Sequence, residues 1–195
     1  MKDIESLYQR YAPDVRRFVL FLSGDPVMAD EITSDTFVSA WLARERIRQP
    51  SVKSYLFSIA RNLYRDTQRR QQRHAVLDEH MTDERISAQT HIEQTAEVRA
   101  VLAALQQLPE MDRTALLMRA LDEMPYEEIA ETLGIPVVTA KVKVYRGRLK
   151  LMQTRQAWRQ VISSSGAKPG ILHGKWSRIC YRFIFPARPA ATRNH

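Results

Sequence analysis

A single cysteine, Cys180, in 195 residues rules out an internal disulfide and fits a reducing compartment. The five histidines (His74, His80, His91, His173, His195) are scattered, and none pairs with another or with the cysteine at metal-ligand spacing. Neither a metal site nor a cofactor is therefore expected. No apolar run approaches the length that crosses a bilayer, and the opening residues MKDIESLYQR lack the apolar core of a signal peptide. The chain is thus expected in the cytoplasm, without membrane insertion. There is no alternating apolar–polar stretch to argue for a strand, and no internal repeat. A phosphate-cradling glycine loop and a nucleophile–base constellation are both missing, so catalysis is not expected.

What the chain does have is positive charge, unevenly placed. Thirty Lys/Arg stand against 22 Asp/Glu, a formal net charge of +8. Residues 153–195 carry eight bases and no acid, which leaves the first 152 residues balanced at 22 and 22. Inside that neutral body the signs are sorted. Residues 61–73 hold five Arg against Asp66, residues 78–97 hold six acids against Arg85, and residues 135–152 hold five bases and no acid. Two basic patches on either side of an acidic connector predict two contacts with a polyanion.

Helical periodicity covers most of the first 155 residues. Leu7, Tyr11, Val15, Phe18, Val19 and Leu22 recur at steps of three and four, and SerGlyAspPro (23–26) interrupts them. A second helix is predicted over about 26–44, with Ile32, Phe37, Val38, Trp41 and Leu42 inward. Residues 46–51 form a loop, since the residue before Pro50 is pushed out of the α region. A third helix over about 52–73 buries Leu56, Ile59, Ala60 and Leu63, with Phe57, Arg61, Tyr64, Arg65 and Gln68 on another face. Residues 74–95 are acidic and weakly periodic, a linker. Helices then follow at 96–108 and 113–121.

Residues 125–152, PYEEIAETLGIPVVTAKVKVYRGRLKLM, are the most informative. Ile129, Ala130 and Leu133 give a short helix an apolar stripe. Gly134 supplies positive φ at a turn, and Pro136 suits the first position of the next helix. That next helix is basic and acid-free, the layout of a helix-turn-helix whose second helix enters a DNA major groove. A plain helical hairpin with a solvated basic face is the bland alternative. The expected fold is all-α: two small helical domains, 1–73 and 96–155, joined by the flexible acidic linker 74–95. The tail 156–195 is basic, and its first dozen residues suit a helical extension. Beyond Ser163 three alternatives stand open: a disordered extension, a nucleic-acid or membrane contact, and an out-of-frame continuation.

Three stretches, ADEITSDTFVSAW (29–41), SYLFSIARNLYRDTQRR (54–70) and LPEMDRTALLMRALDEMPYEEIAETLGIP (108–136), come in an order and spacing more specific than any one alone. Together they make residues 5–155 resemble a bacterial RNA polymerase sigma factor of the extracytoplasmic-function branch. The resemblance implies a transcription initiation factor that binds core RNA polymerase, directs it to promoter DNA and helps melt the minus-ten element. It further implies an anti-sigma protein as a partner. A polymerase-independent helix-turn-helix regulator is the alternative.

The resemblance also implies residue roles. Asp30, Glu31, Ser34, Asp35 and Phe37 would bind core polymerase. Ser34 departs from the family's usual Gln, which makes that contact different. Phe57, Arg61, Tyr64, Arg65, Arg69 and Arg70 would hold the minus-ten strand, rings stacking on bases and cations on phosphates. Thr139, Lys141 and Val142 would meet base edges of the minus-thirty-five element, with Lys143, Tyr145, Arg146 and Arg148 beside them, the cations on phosphates. The run Val138-Thr139-Ala140-Lys141-Val142-Lys143 departs from the family's Gly-Thr-Val-Lys-Ser-Arg, which bears on sequence preference.

Overall fold

A computed structural model describes residues 4–43, 51–77 and 96–164, without the side chains of 74–77, 96–98, 100 and 154–164. Every element in these stretches is a helix: α1 Ile4–Ser23, α2 Pro26–Leu42, α3 Val52–Leu77, α4 Ala96–Gln106, α5 Glu110–Asp122, α6 Tyr126–Leu133 and α7 Val137–Ser164. The linker beyond residue 77, most of the 46–51 loop and the tail beyond 164 lie outside the described residues.

Local chemistry sets the boundaries. Gly24 takes φ +78 at the end of α1, and the Asp25 carboxylate accepts from the Val27 and Met28 amides at 2.8 and 3.3 Å, capping α2. In the second half, three helices start directly after a proline. The carbonyls of Pro109, Pro125 and Pro136 accept the first helical bonds, from Arg113, Ile129 and Ala140. Pro136 thus stands one position before the helix rather than at its first residue. Pro109 likewise starts α5 at Glu110, earlier than periodicity places it. Gly134, at φ +64, ends α6, while the Ile135 amide donates back to the Ala130 carbonyl at 2.9 Å. The helix-turn-helix is formed by these two ends. α3 extends to Leu77, into the expected linker, and α7 continues through Ser164 as one helix of 28 residues.

α1, α2 and α3 pack on one another, as do α5, α6 and α7, with α4 against α7. The two groups also touch each other, α1 against α4 and α5, and α3 against α6. A single apolar cluster runs from Val15, Phe18 and Leu22 through Leu105, Leu116 and Met118 to Ile129 and Val144. Sequence periodicity locates the α1 stripe well; only Tyr11 among its six residues is partly exposed. On α2 the expectation is corrected. Val38 and Leu42 are exposed, because the buried positions 29, 32, 33, 36, 37 and 40 form a stripe that excludes them. On α3 the buried set is Ser54, Leu56, Phe57, Ala60, Arg61 and Tyr64, while Ile59 and Leu63 are only partly buried. This helix is covered on two sides, by α1 and α2 and by α6, so its buried band is wider than one apolar stripe.

Candidate nucleic-acid interface

The start of α7 is displayed outward. Ala140, Val144, Gly147 and Leu151 face the core, which turns Val138, Lys141, Val142, Tyr145 and Arg146 to solvent. Val138 and Tyr145 are 72% and 65% exposed, unusual for apolar and aromatic side chains without a partner. Thr139 is half-buried. Lys141 lies with its Nζ 5.8 Å from the Tyr126 ring centroid, a loose contact that leaves the ammonium exposed. Lys143 does not fit its assigned phosphate role. Its Nζ is 3.0 Å from Asp112 Oδ1 on α5, with both side chains mostly buried, so it ties α7 to α5. Gly147 lets the same two helices approach closely; a Cβ there would sit 3.1 Å from Leu116 Cδ2 and 3.3 Å from the Asp112 carbonyl oxygen.

The outer face of α2 carries Asp30, Glu31, Ser34 and Asp35 among exposed Val27, Val38 and Leu42. Positions 27, 31, 34, 38 and 42 form one stripe of alternating acid, hydroxyl and apolar character. Arg16 binds Asp30 through two nitrogens at 2.5 and 3.2 Å, which raises the Arg16 pKa through that hydrogen bond. Ser34 spends its hydroxyl on the Asp30 carbonyl at 3.2 Å. Phe37 is corrected: it is 3% exposed and meets Tyr8 edge-on at 4.9 Å, a core ring. The apolar part of this face comes from Val38 and Leu42 instead.

On α3 the assigned residues divide. Arg69 and Arg70 are exposed and Arg65 partly so; Arg69 makes only a 3.6 Å contact to Asp66. Phe57 is corrected, being fully buried and stacked on Phe18 with centroids 4.5 Å apart and planes 7° from parallel. A ring closed into the first unit's core has no face for a base. Arg61 and Tyr64 are buried by the second group of helices. Arg61 Nε donates to Glu110 Oε1 at 2.8 Å, and Tyr64 Oη accepts from Arg113 Nη2 at 3.1 Å.

Sequence reasoning missed the partners in this seam. Gln106 donates to the Phe21 and Leu22 carbonyls at 3.5 and 3.3 Å, capping the end of α1, and accepts from Arg113. Ser54 and Ser51 donate to Glu128 Oε2 at 2.8 and 3.2 Å. Asp122 lies 2.5 Å from Lys53 Nζ and 3.4 Å from Arg17 Nη2. Burial pushes the Asp122 carboxyl above the ordinary range, and its two cations only partly oppose this. Burial also works against the Lys53 charge, but hydrogen bonds to Asp122 and Asp14 outweigh it and raise the pKa. For Arg113 burial prevails over Tyr64 and Glu110, and its pKa is lowered. The one available signal was α5 itself, where Asp112, Arg113 and Thr114 directly precede the apolar run Ala115–Met118 and are buried with it.

Among the described residues no His, Cys, Asp or Glu cluster could hold a metal, and no helix is long and apolar enough to cross a membrane. Residues 7–74 match the family model for Sigma-70 region 2, and residues 98–151 that for Sigma-70 region 4. The chain is 32% identical over 141 residues to the ECF RNA polymerase sigma factor EcfG of Rhodopseudomonas palustris, covering 71% of this chain and 77% of that protein. It is 28% identical over 153 residues to the ECF sigma factor SigM of Bacillus subtilis, covering 76% and 92%. Its fold is similar to that of the sigma factor RpoE from Bartonella quintana, solved in complex with the anti-sigma factor NepR. The TM-score is 0.68 at 24% identity, over 80% of this chain and 98% of that one.

Proposed function

The chain belongs to the sigma-70 family of transcription initiation factors, in its extracytoplasmic-function branch, and we propose which of its surfaces perform the work. A sigma factor binds core RNA polymerase, directs it to promoters and helps open the minus-ten element; it is an initiation factor rather than an enzyme. The exposed α2 stripe of Asp30, Glu31, Ser34, Asp35, Val38 and Leu42 docks on the polymerase, acids and apolar groups together suiting a basic, amphipathic partner. Arg65, Arg69 and Arg70 on α3 hold minus-ten phosphates. The first turns of α7 read the minus-thirty-five element: Val138 and Val142 meet thymine methyls, Lys141 donates to base acceptors, and Tyr145, Arg146 and Arg148 flank the groove. An anti-sigma protein that captures these faces would silence the factor; the similar RpoE was solved in complex with the anti-sigma factor NepR.

The observation that carries this reading is the outward, acid-free face of α7, with its apolar side chains left in solvent. Lys141→Ala and Arg146→Ala separate base reading from phosphate holding. Lys141→Ala is expected to change preference among minus-thirty-five sequences by about 1–3 kcal/mol at one base pair. Arg146→Ala is expected to weaken binding to all sequences alike and to lower the salt slope by about one unit. Run-off transcription with core polymerase and a promoter library measures both. Identical sequence profiles and unchanged slopes for the two variants would refute these roles.

A further inference from the structure

α7 carries two apolar stripes on opposite faces. Ala140, Val144, Gly147 and Leu151 face the core, in steps of four and three. Val138, Val142, Tyr145, Leu149 and Met152 recur at the same steps on the outer face, and all five are exposed. Every exposed large apolar side chain among the described residues of α4 to α7 lies on this one outer stripe. Exposed apolar residues ordinarily scatter singly, and a contiguous patch of them marks a contact surface. DNA accounts for only part of it. A recognition helix meets base edges with its N-terminal residues. Leu149 and Met152 stand about 10 and 15 Å farther along the axis than Val142, at a rise of about 1.5 Å per residue. They are still 42% and 39% exposed. Beyond the base edges a helix meets phosphate and sugar, which give leucine and methionine nothing to pack on.

What fits the whole stripe is another helix. Alternating steps of four and three are the a and d positions of a heptad, with Val142 and Leu149 at a and Val138, Tyr145 and Met152 at d. The e and g positions beside them include Lys141 and Arg146, both exposed, and no acid occurs between residues 135 and 152. A second copy of the chain is therefore a poor occupant. Parallel pairing would set Lys141 against Arg146 of the other copy, and antiparallel pairing would oppose one basic flank to another. We infer that the outer face of α7 is a docking stripe for one acidic amphipathic helix of a partner protein. The apolar side of that helix packs on the stripe from Val138 to Met152, and its flanking carboxylates pair with Lys141 and Arg146. Val138, Lys141, Val142 and Arg146 serve both ligands, so the helix and minus-thirty-five DNA exclude each other. The exclusion rests on the assignment of α7 to the minus-thirty-five element, whereas the docking stripe does not.

The test uses the full chain and a synthetic helical peptide of about four heptads, with Ile at a, Leu at d and Glu at e and g. Two control peptides keep its length: one carries Lys at e and g, the other Ser at a and d. Fluorescence anisotropy of labelled peptide reads docking, and run-off transcription with core polymerase from a minus-thirty-five-dependent promoter reads exclusion. The chain is expected to bind the Glu peptide at least about tenfold tighter than either control. Leu149→Gln combined with Met152→Gln should lose about tenfold in peptide affinity and need about tenfold more peptide for the same inhibition. Its transcription without peptide should stay at the parent level. Equal binding of the Glu and Ser peptides, or a double variant that binds peptide as the parent does, would reduce the contact to charge and overturn the docking stripe. Tight binding that depends on Leu149 and Met152 but leaves transcription uninhibited keeps the stripe and overturns exclusion, the fault then lying with the minus-thirty-five assignment of α7. Transcription lost by the folded double variant without peptide would place these two side chains on DNA and overturn the proposal. If the double variant loses helical signal, Met152→Gln alone carries the same readouts, and an unchanged peptide affinity there would overturn the stripe.

Discussion

Replacing Phe57 separates a core ring from a stacking platform more cleanly than any other change on α3. The side chain is fully buried, lies parallel to Phe18 at 4.5 Å, and has Lys53 Nζ 5.7 Å from its centroid. Truncating a buried phenylalanine costs about 3–5 kcal/mol. Of this, about 0.5–1.5 kcal/mol belongs to the ring pair itself. Total stabilities of about 5–15 kcal/mol make that about a fifth or more of what a domain has. With a urea slope of about 2 kcal/mol per molar, Phe57→Ala should lower the midpoint of the helical signal by about 1.5–2.5 M. Phe57→Leu keeps most of the volume and loses the stacking, so its cost should be below about 1.5 kcal/mol. The assay is urea denaturation followed by circular dichroism, with binding to a pre-melted promoter bubble measured on the folded fraction. A platform behaves differently: both replacements would forfeit about 1–3 kcal/mol of strand binding and leave the urea midpoint where it was. An unchanged midpoint for Phe57→Ala would refute the core placement and restore the ring to the DNA surface.

Two further changes test how α7 is held. Lys143→Ala strands a mostly buried Asp112 carboxylate, so stability should fall by about 1–3 kcal/mol while the salt slope of DNA binding stays unchanged. A slope reduced by about one unit, as expected for Arg146→Ala, would return Lys143 to the phosphates. Gly147→Val drives a branched side chain against Leu116 and the Asp112 carbonyl, and the backbone oxygen cannot move aside alone. Thermal or urea melts should show a loss of about 2–3 kcal/mol, and a neutral result would mean that α5 and α7 are less closely packed.

Which of these features the sequence could reveal follows from what periodicity measures. A repeat of three and four residues finds the side of a helix that avoids water, and it locates α1 and the short α6. It finds that side by apolar residues alone, so it fails where a helix is covered twice. α3 is such a helix: Leu56 and Ala60 mark one covered side, while Ser54, Arg61 and Tyr64 make up the other and look, in sequence, like a surface for DNA. On α2 the error runs in reverse. Val38 and Leu42, being apolar, read as inward, although Thr33 and Thr36 fill the buried stripe by donating to the Ala29 and Ile32 carbonyls.

The charge blocks show the same limit at a larger scale. A run of arginines predicts a polyanion, and a nucleic acid satisfies that prediction as well as a carboxylate of the same chain does. Arg69 and Arg70 face solvent, whereas Arg61, two turns earlier on the same helix, is neutralised by Glu110 from a segment 49 residues away. Lys143 and Arg146 divide in the same way, one held by Asp112 and the other exposed. In each pair the sequence carries identical information about the two cations, and only the packing of α5 tells them apart. That helix contributes Glu110, Asp112, Arg113 and Asp122, and so it both fixes the orientation of α7 and occupies the seam over α3. A change in α5 would therefore reach α3 and α7 together, through Glu110 on Arg61 and through Asp112 on Lys143.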